Sequence, residues 1–140
     1  MRIKEIKAGI AQSDLIAELP TGYLLLCWFQ FYPGYCLFVS KEHATELDEL
    51  PHDFAMEFQN DMLRCHRAVR SAVEPKKMNV ASLGNEIRHV HWHIIPRHSN
   101  DPMPSVPIWE LRPNIRQHSR FRITDTSHLD LIEKIRRQLR

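Results

Sequence analysis

The stretch His89-Val90-His91-Trp92-His93-Ile94-Ile95-Pro96-Arg97 alternates three histidines with Val90, Trp92 and Ile94. Strict period-two alternation with β-branched and aromatic residues predicts a β-strand. Successive side chains on a strand point to opposite faces, so one face is expected to carry three imidazoles and the other an apolar set to be buried. Crowded imidazoles depress one another's protonation, and such crowding marks this strand as the site. The rest of the chain reads as its support.

Working outward, Met78 to Leu83 predicts a strand closed by Gly84-Asn85 and paired with the histidine strand, which brings Asn79 near the histidine face. Leu15 to Leu19 is a short strand ended by Pro20-Thr21-Gly22, and Tyr23 to Phe31 reads as a buried strand. Pro33-Gly34 is a turn signal ahead of Tyr35 to Val39, so these last two strands are expected to form an antiparallel hairpin. Between them and Pro75 the period changes. Phe54, Phe58, Met62, Cys65, Val69, Ala72 and Val73 recur at steps of three and four, the stripe of an amphipathic helix from Pro51 to Val73. Pro51 suits the first turn, Asp53 the N-terminal end, and Pro75 follows the last apolar position. That stripe reads as core rather than as a cofactor face. After Arg97, Pro102, Pro104, Pro107 and Pro113 break regular structure, and Ser127 is expected to cap a last helix from His128 bearing Leu129, Ile132, Ile135 and Leu139 on one side. The expected fold class is therefore α+β: an antiparallel β-sheet with one long helix packed on it and a C-terminal helix. A single domain spans residues 1–140, its core over 15–109 and a proline-rich arm and C-terminal helix over 110–140.

The composition, 43% apolar and 26% charged, is that of an ordinary globular domain. Its longest apolar run, Leu24 to Phe29, is too short to cross a bilayer, and the first seven residues lack the apolar region of a signal peptide. A cytoplasmic protein with no membrane partner is the expectation. Three cysteines, Cys27, Cys36 and Cys65, form no Cys-x-x-Cys and read as reduced, small hydrophobes. The net charge of +2 hides an asymmetry: residues 112–140 carry eight Lys/Arg against three acids, and the remainder 11 against 14. A solvated helix face accounts for the basic third better than a nucleic-acid surface does.

Alternate residues on a strand lie about 6.5–7 Å apart, which puts His89 and His93 roughly 13 Å from each other. Zinc holds nitrogen at about 2.0–2.1 Å, so one ion cannot easily take all three. A His-x-His pair joined by His43 or His98 keeps a metalloprotein open as an alternative. The other use of an imidazole row is chemistry on phosphorus: a neutral nitrogen attacks, and a flanking imidazole meets the phosphate oxygens.

These residues resemble the His-φ-His-φ-His-φ-φ signature of the histidine triad (HIT) superfamily of nucleotide hydrolases and transferases. Leu37-Phe38-Val39-Ser40-Lys41-Glu42-His43 resembles the segment that supplies a fourth histidine, and Asn79 to Asn85 the approach to the triad. Asp101-Pro102 and Pro107-Ile108-Trp109 are similar to a bacterial branch of small HIT proteins. The resemblance covers residues 15–109. It implies a homodimer through a continuous sheet and cleavage at the α-phosphate of a nucleotide conjugate, a phosphoramidate or a dinucleoside polyphosphate. His91 would form a nucleotidyl-histidine intermediate, His93 would contact the phosphate oxygens, His89 would orient its neighbours and His43 would complete the set. Asn79 and Asn85 would be substrate donors, and no metal or cofactor would be required. One departure matters: where the family often has Gly-Gln followed by Ser or Thr, this chain has Gly84-Asn85-Glu86. An inward Glu86 would repel a phosphate, which keeps open a catalytically weak nucleotide-binding or sensor module. Trp92 is expected in the core, Arg97 on the surface and His98 in a loop. Trp109 is read either as packing the arm down or as reaching the nucleotide or the dimer partner.

Overall fold

The apolar alternation is realised as five antiparallel strands in one sheet, and the computed structural model describes residues 15–123 and 128–140 of the chain. The strands are β1 (Leu15–Glu18), β2 (Gly22–Leu26), β3 (Cys36–Ser40), β4 (Lys77–Ala81) and β5 (His91–Arg97). Their order across the sheet is β1-β2-β3-β5-β4, which places β5 inside the sheet with β4 at the edge. A long helix, α1 (His52–Val73), links β3 to β4, and α2 (Leu129–Leu139) ends the chain. An α+β fold with one long helix on an antiparallel sheet is what the sequence pattern required.

Register decides which side chains share a face. Phe38 lies opposite Trp92 and Cys36 opposite Ile94, while Val39 lies opposite His91 and Leu37 opposite His93. The first set, with Leu24, Leu26 and Met78, meets the stripe Phe58, Met62, Cys65, Val69 and Ala72 of α1 in the main core. Phe38 and Phe58, both fully buried, stack with centroids 5.1 Å apart. Trp92 packs against this core, as expected. Cys36 and Cys65 are fully buried there as free thiols. Burial pushes the Cys65 thiol up to about 12, so it stays protonated and behaves as a small hydrophobe. α2 seats Ile132 and Ile135 in the same core, and Arg136 donates to the carbonyls of Ile16 and Leu15 on β1. The expected Ser127 cap lies outside the described residues.

Three boundaries differ from the sequence reading, each for a physical reason. Strand β2 ends at Leu26 rather than Phe31, because Gln30 folds residues 27–35 on themselves. Its amide donates to the carbonyls of Cys27 and Tyr35, and its carbonyl accepts from Gly34 N. Phe29 then bridges to Arg122, far along the chain, with Gln30 N donating to Phe121 O. Gly34 turns at φ +94 with the Pro96 and Val73 side chains 3.0 Å from where a Cβ would stand, so the turn requires glycine twice over. Second, β5 begins at His91; the chain bends at His89, and Val90 N is bonded to Ala44 O while Val90 O accepts from Ser40 N. Third, the proline-rich arm is not wholly irregular. It holds short turns of helix at Ile108–Glu110, Pro113–Arg116 and Ser119–Phe121, with Pro113 opening the second.

Candidate active site

Strand parity puts His91, His93, Ile95 and Arg97 on the sheet face away from α1. Their lateral neighbours are Leu37 and Val39 on β3, and Lys77, Asn79 and Ala81 on β4. Leu25 and Val39 are buried on this face, with Leu15, Tyr23 and Leu37 packed around them, so an apolar strip runs beside the imidazoles.

His91 and His93 form the centre of the site. Their ring centroids are 5.0 Å apart at 61°. His91 Nδ1 lies 2.6 Å from the carbonyl oxygen of His89. A carbonyl only accepts, so Nδ1 carries the proton and Nε2 keeps its lone pair. Among the described residues, Nε2 of neither His91 nor His93 has a hydrogen-bond partner. His93 Nδ1 lies 2.6 Å from the hydroxyl of Tyr35, which is itself only 8% exposed. Burial, with a smaller contribution from His91, lowers the His93 pKa to about 4, so the ring is neutral at pH 7.

His89 stands apart from this pair. Its ring is fully buried and its Nε2–H donates to Ser40 O at 2.7 Å, so in the neutral ring Nδ1 accepts a hydrogen bond from His43 Nδ1–H at 2.9 Å. Three imidazoles on one face are therefore not what the fold makes. His89 contributes its backbone carbonyl to His91, and its side chain ties the end of β3 to the exposed His43. The reason is the late start of β5, which frees residue 89 from the strand's alternation.

Arg97 overturns its expected surface position. It is 3% exposed and paired with Asp101, whose side chain is equally buried. Its guanidinium also donates to Asn79 Oδ1 at 2.9 Å, Val106 O at 2.7 Å and Met103 O at 2.6 Å. Burial pushes the Asp101 carboxyl up, but hydrogen bonds from Arg97 and from the Met103 amide, with the Arg97 charge, outweigh it and hold the group below the usual range. Asn79, expected as a substrate donor, spends its oxygen on Arg97 and its amide on Met78 O. Asn85 and Glu86 are both exposed on the loop between β4 and β5, so Glu86 faces solvent. His98 sits exposed past the strand and bonds Pro33 O.

The clamp on Arg97 draws the arm back over the sheet. Ile108 is buried with Tyr32, Tyr35 and Ile95, and Trp109, still 39% exposed, meets the His93 ring edge-on with centroids 5.5 Å apart. The sequence reading had Trp109 open between packing and substrate, and missed Tyr35 altogether. Parity was the available signal: Tyr35 is in phase with Leu37 and Val39, and Arg97 with His91 and His93. Among the described residues, no group of three His, Cys, Asp or Glu side chains is placed to hold a metal ion.

A family model, the HIT domain, matches residues 9–100. The chain belongs to the HIT family. It is 33% identical over 79 residues to an uncharacterized HIT-like protein of Methanocaldococcus jannaschii, covering 49% of this chain and 56% of that protein. It is 32% identical over 85 residues to the adenosine 5'-monophosphoramidase hnt1 of Schizosaccharomyces pombe, covering 54% of this chain and 61% of that one. The chain thus matches little more than half the length of these two relatives. A histidine triad protein of Bradyrhizobium japonicum superposes with a TM-score of 0.76 at 25% identity, over 92% of this chain and 93% of its own. One from Marinobacter aquaeolei reaches 0.79 at 23% identity, over 99% and 95%, which supports the fold alone. The Arg97 partners Asp101, Met103 and Val106, and Trp109, lie beyond the segment matched by the HIT model.

Two outcomes follow from this geometry. Arg97→Leu strands a buried carboxylate and is expected to cost about 3–5 kcal/mol in urea unfolding, with part of the loss recovered in Arg97→Leu/Asp101→Leu. Equal stability of the single variant and wild type would refute the clamp. His93 is expected to titrate near pH 4 by nuclear magnetic resonance. Because the unfolded ring binds its proton at about 6.5, stability contributed by the neutral ring is lost as pH falls from that value through the folded midpoint. A His93 midpoint above 6 would contradict its burial.

Proposed function

We propose that this HIT protein hydrolyses, or transfers the nucleotidyl group of, a nucleotide conjugate through a covalent intermediate on His91. The observation that carries the reading is the unbonded Nε2 lone pair of His91, held in that tautomer by the His89 carbonyl and set beside a second imidazole. A neutral nitrogen of this kind is a competent nucleophile toward phosphorus. The N–P bond forms as the bond from phosphorus to the leaving amine or phosphate breaks, and the leaving group takes a proton from solvent. The positive charge left on the His91 ring is met at Nδ1–H by the His89 oxygen. Water then forms a P–O bond, the N–P bond breaks, the water's proton passes to solvent, and Nε2 is bare again.

The other parts take supporting roles. His93 lies beside His91 and meets the non-bridging phosphate oxygens. His89 and His43 brace the end of β3 and the entry to β5. The apolar strip Tyr23, Leu25, Leu37 and Val39 is the surface on which the base lies. The phosphoramidase activity named for the S. pombe relative favours a phosphorus–nitrogen bond to an adenosine monophosphate, with dinucleoside polyphosphates as the other candidates. Asn85, exposed on its loop, remains a substrate donor in this reading, whereas Asn79 serves through Arg97.

The decisive experiment is single-turnover labelling with adenosine phosphoramidates and dinucleoside polyphosphates, wild type beside His91→Ala. A nucleotidyl adduct on residue 91 and a rate at least about a hundredfold above the variant are expected. Binding without an adduct would instead make the protein a nucleotide sensor, and equal rates in both proteins would refute the assignment.

The same reading makes the working unit a homodimer across the free edge of β4. Val80 is 42% exposed on that edge strand, with Leu83 at 57% and Ile87 at 41% on the loop that follows. Among the described residues no strand pairs with the outer side of β4, and an edge with apolar side chains invites another strand. Light scattering should give the mass of two chains for wild type and of one chain for Val80→Lys. A wild type that runs as a single chain refutes the dimer.

A further inference from the structure

His91 and His93 are the same residue type on the same face of one strand, yet the proposed chemistry asks them to behave oppositely. One must offer a lone pair at Nε2 and the other an N–H. The difference lies in what each ring meets at Nδ1. His91 meets the His89 carbonyl, an obligate acceptor, at 2.6 Å. His93 meets the Tyr35 hydroxyl, which can donate or accept, also at 2.6 Å.

The buried hydroxyl settles the direction. Tyr35 packs with Tyr32, Ile95 and Ile108, and among the described residues its hydroxyl has no hydrogen-bond partner other than His93. If His93 Nδ1 carried the proton, the Tyr35 hydroxyl hydrogen would be left unsatisfied in an apolar pocket, a costly arrangement for a buried donor. If Tyr35 donates, its hydrogen is satisfied and His93 Nδ1 is the acceptor. Deprotonating the phenol instead is disfavoured, since burial pushes Tyr35 well above its ordinary value. A neutral His93 with a bare Nδ1 has its proton on Nε2, across the ring.

We propose that Tyr35 is a positioning residue that sets His93 in the Nε2–H tautomer, making it a neutral hydrogen-bond donor to the phosphoryl oxygens while the His89 carbonyl sets His91 as the lone-pair donor. The two tautomers are complementary: one ring attacks phosphorus and its neighbour stabilises the charge that gathers on oxygen. A neutral donor has an advantage at this place. It does not oppose the positive charge that develops on the attacking ring, as an imidazolium with its centroid 5.0 Å away would. The kinetic consequence rests on the reading of His91 as nucleophile; the tautomer itself does not.

Tyr32 supplies the control. It lies in the same cluster, is 4% exposed, and its hydroxyl has no hydrogen-bond partner. Tyr32→Phe therefore removes the same group from the same pocket without touching His93. The experiment records the ring nitrogens of His93 at pH 7 by long-range proton–nitrogen correlation, with His93→Gln to identify the signals. Wild type and Tyr32→Phe are expected to show a protonated Nε2 and a bare, hydrogen-bonded Nδ1. Tyr35→Phe should move both signals to the exchange-averaged positions of an unconstrained imidazole. In turnover, Tyr35→Phe should lower kcat about tenfold with KM changed less than about twofold, the size of one lost hydrogen bond in the transition state. A protonated Nδ1 in wild type, or an unchanged tautomer in Tyr35→Phe, overturns the proposal. An absent His91 adduct with the tautomer as expected would count against the nucleophile reading and leave the tautomer assignment intact.

Discussion

A guanidinium with almost no contact with solvent is the constraint around which the histidine face is built. Arg97 cannot be left unpaired at 3% exposure, because an uncompensated buried charge is far more costly than a missing surface contact. Its partners come from three places: Asn79 on β4, Asp101 just past β5, and the carbonyls of Met103 and Val106 in the arm. Satisfying one side chain therefore fixes the edge strand, the end of the central strand and the path of a proline-rich segment at once. Prolines help, since Pro102, Pro104, Pro107 and Pro113 have no backbone N–H to donate, which leaves carbonyls of this stretch to Arg97 instead of to regular structure. Ile108 is buried as a consequence, and Trp109 arrives against His93.

The second device is smaller in scale and concerns single protons. Each histidine near the site has Nδ1 or Nε2 within hydrogen-bond distance of a specific neighbour. The His89 carbonyl meets His91, the Tyr35 hydroxyl meets His93, and Ser40 O with His43 meets His89. What each ring nitrogen can offer depends on that neighbour, not on the ring's place in a repeating motif. This is how one strand supports different roles for like residues. It also explains why burial is useful here: low solvent access keeps His93 neutral and strengthens each fixed hydrogen bond.

Much of the architecture was legible from periodicity. Phe58, Met62, Cys65, Val69 and Ala72 recur as only a helix lying on a sheet requires, and α1 spans His52–Val73 against an expected start at Pro51. The hairpin of β2 and β3 and the pairing of β4 with β5 follow from alternating apolar runs of suitable length. Reading failed where a long-range hydrogen bond overrode local preference. Trp28 to Phe31 look like strand by composition, but Gln30 N donates to Phe121 O and Trp28 O accepts from Ile123 N, while the Gln30 side chain closes the turn on Cys27, Gly34 and Tyr35. Arg97 looks like surface by type, and only a carboxylate four residues on, an asparagine 18 residues back and two carbonyls make its burial tolerable.

By itself the sequence determined the α+β class, the apolar faces that meet in the main core and the family signature in His89 to Ile95, because those depend on local period and residue type. Tertiary structure alone decided that His89 is withdrawn from the face it was expected to share, that Asn79 serves Arg97, and that Tyr35 and Trp109 flank His93. These are contacts across strand register and chain return. Hydrogen-bond polarity at a ring nitrogen depends on which group arrives there in space, and no spacing along the chain encodes that.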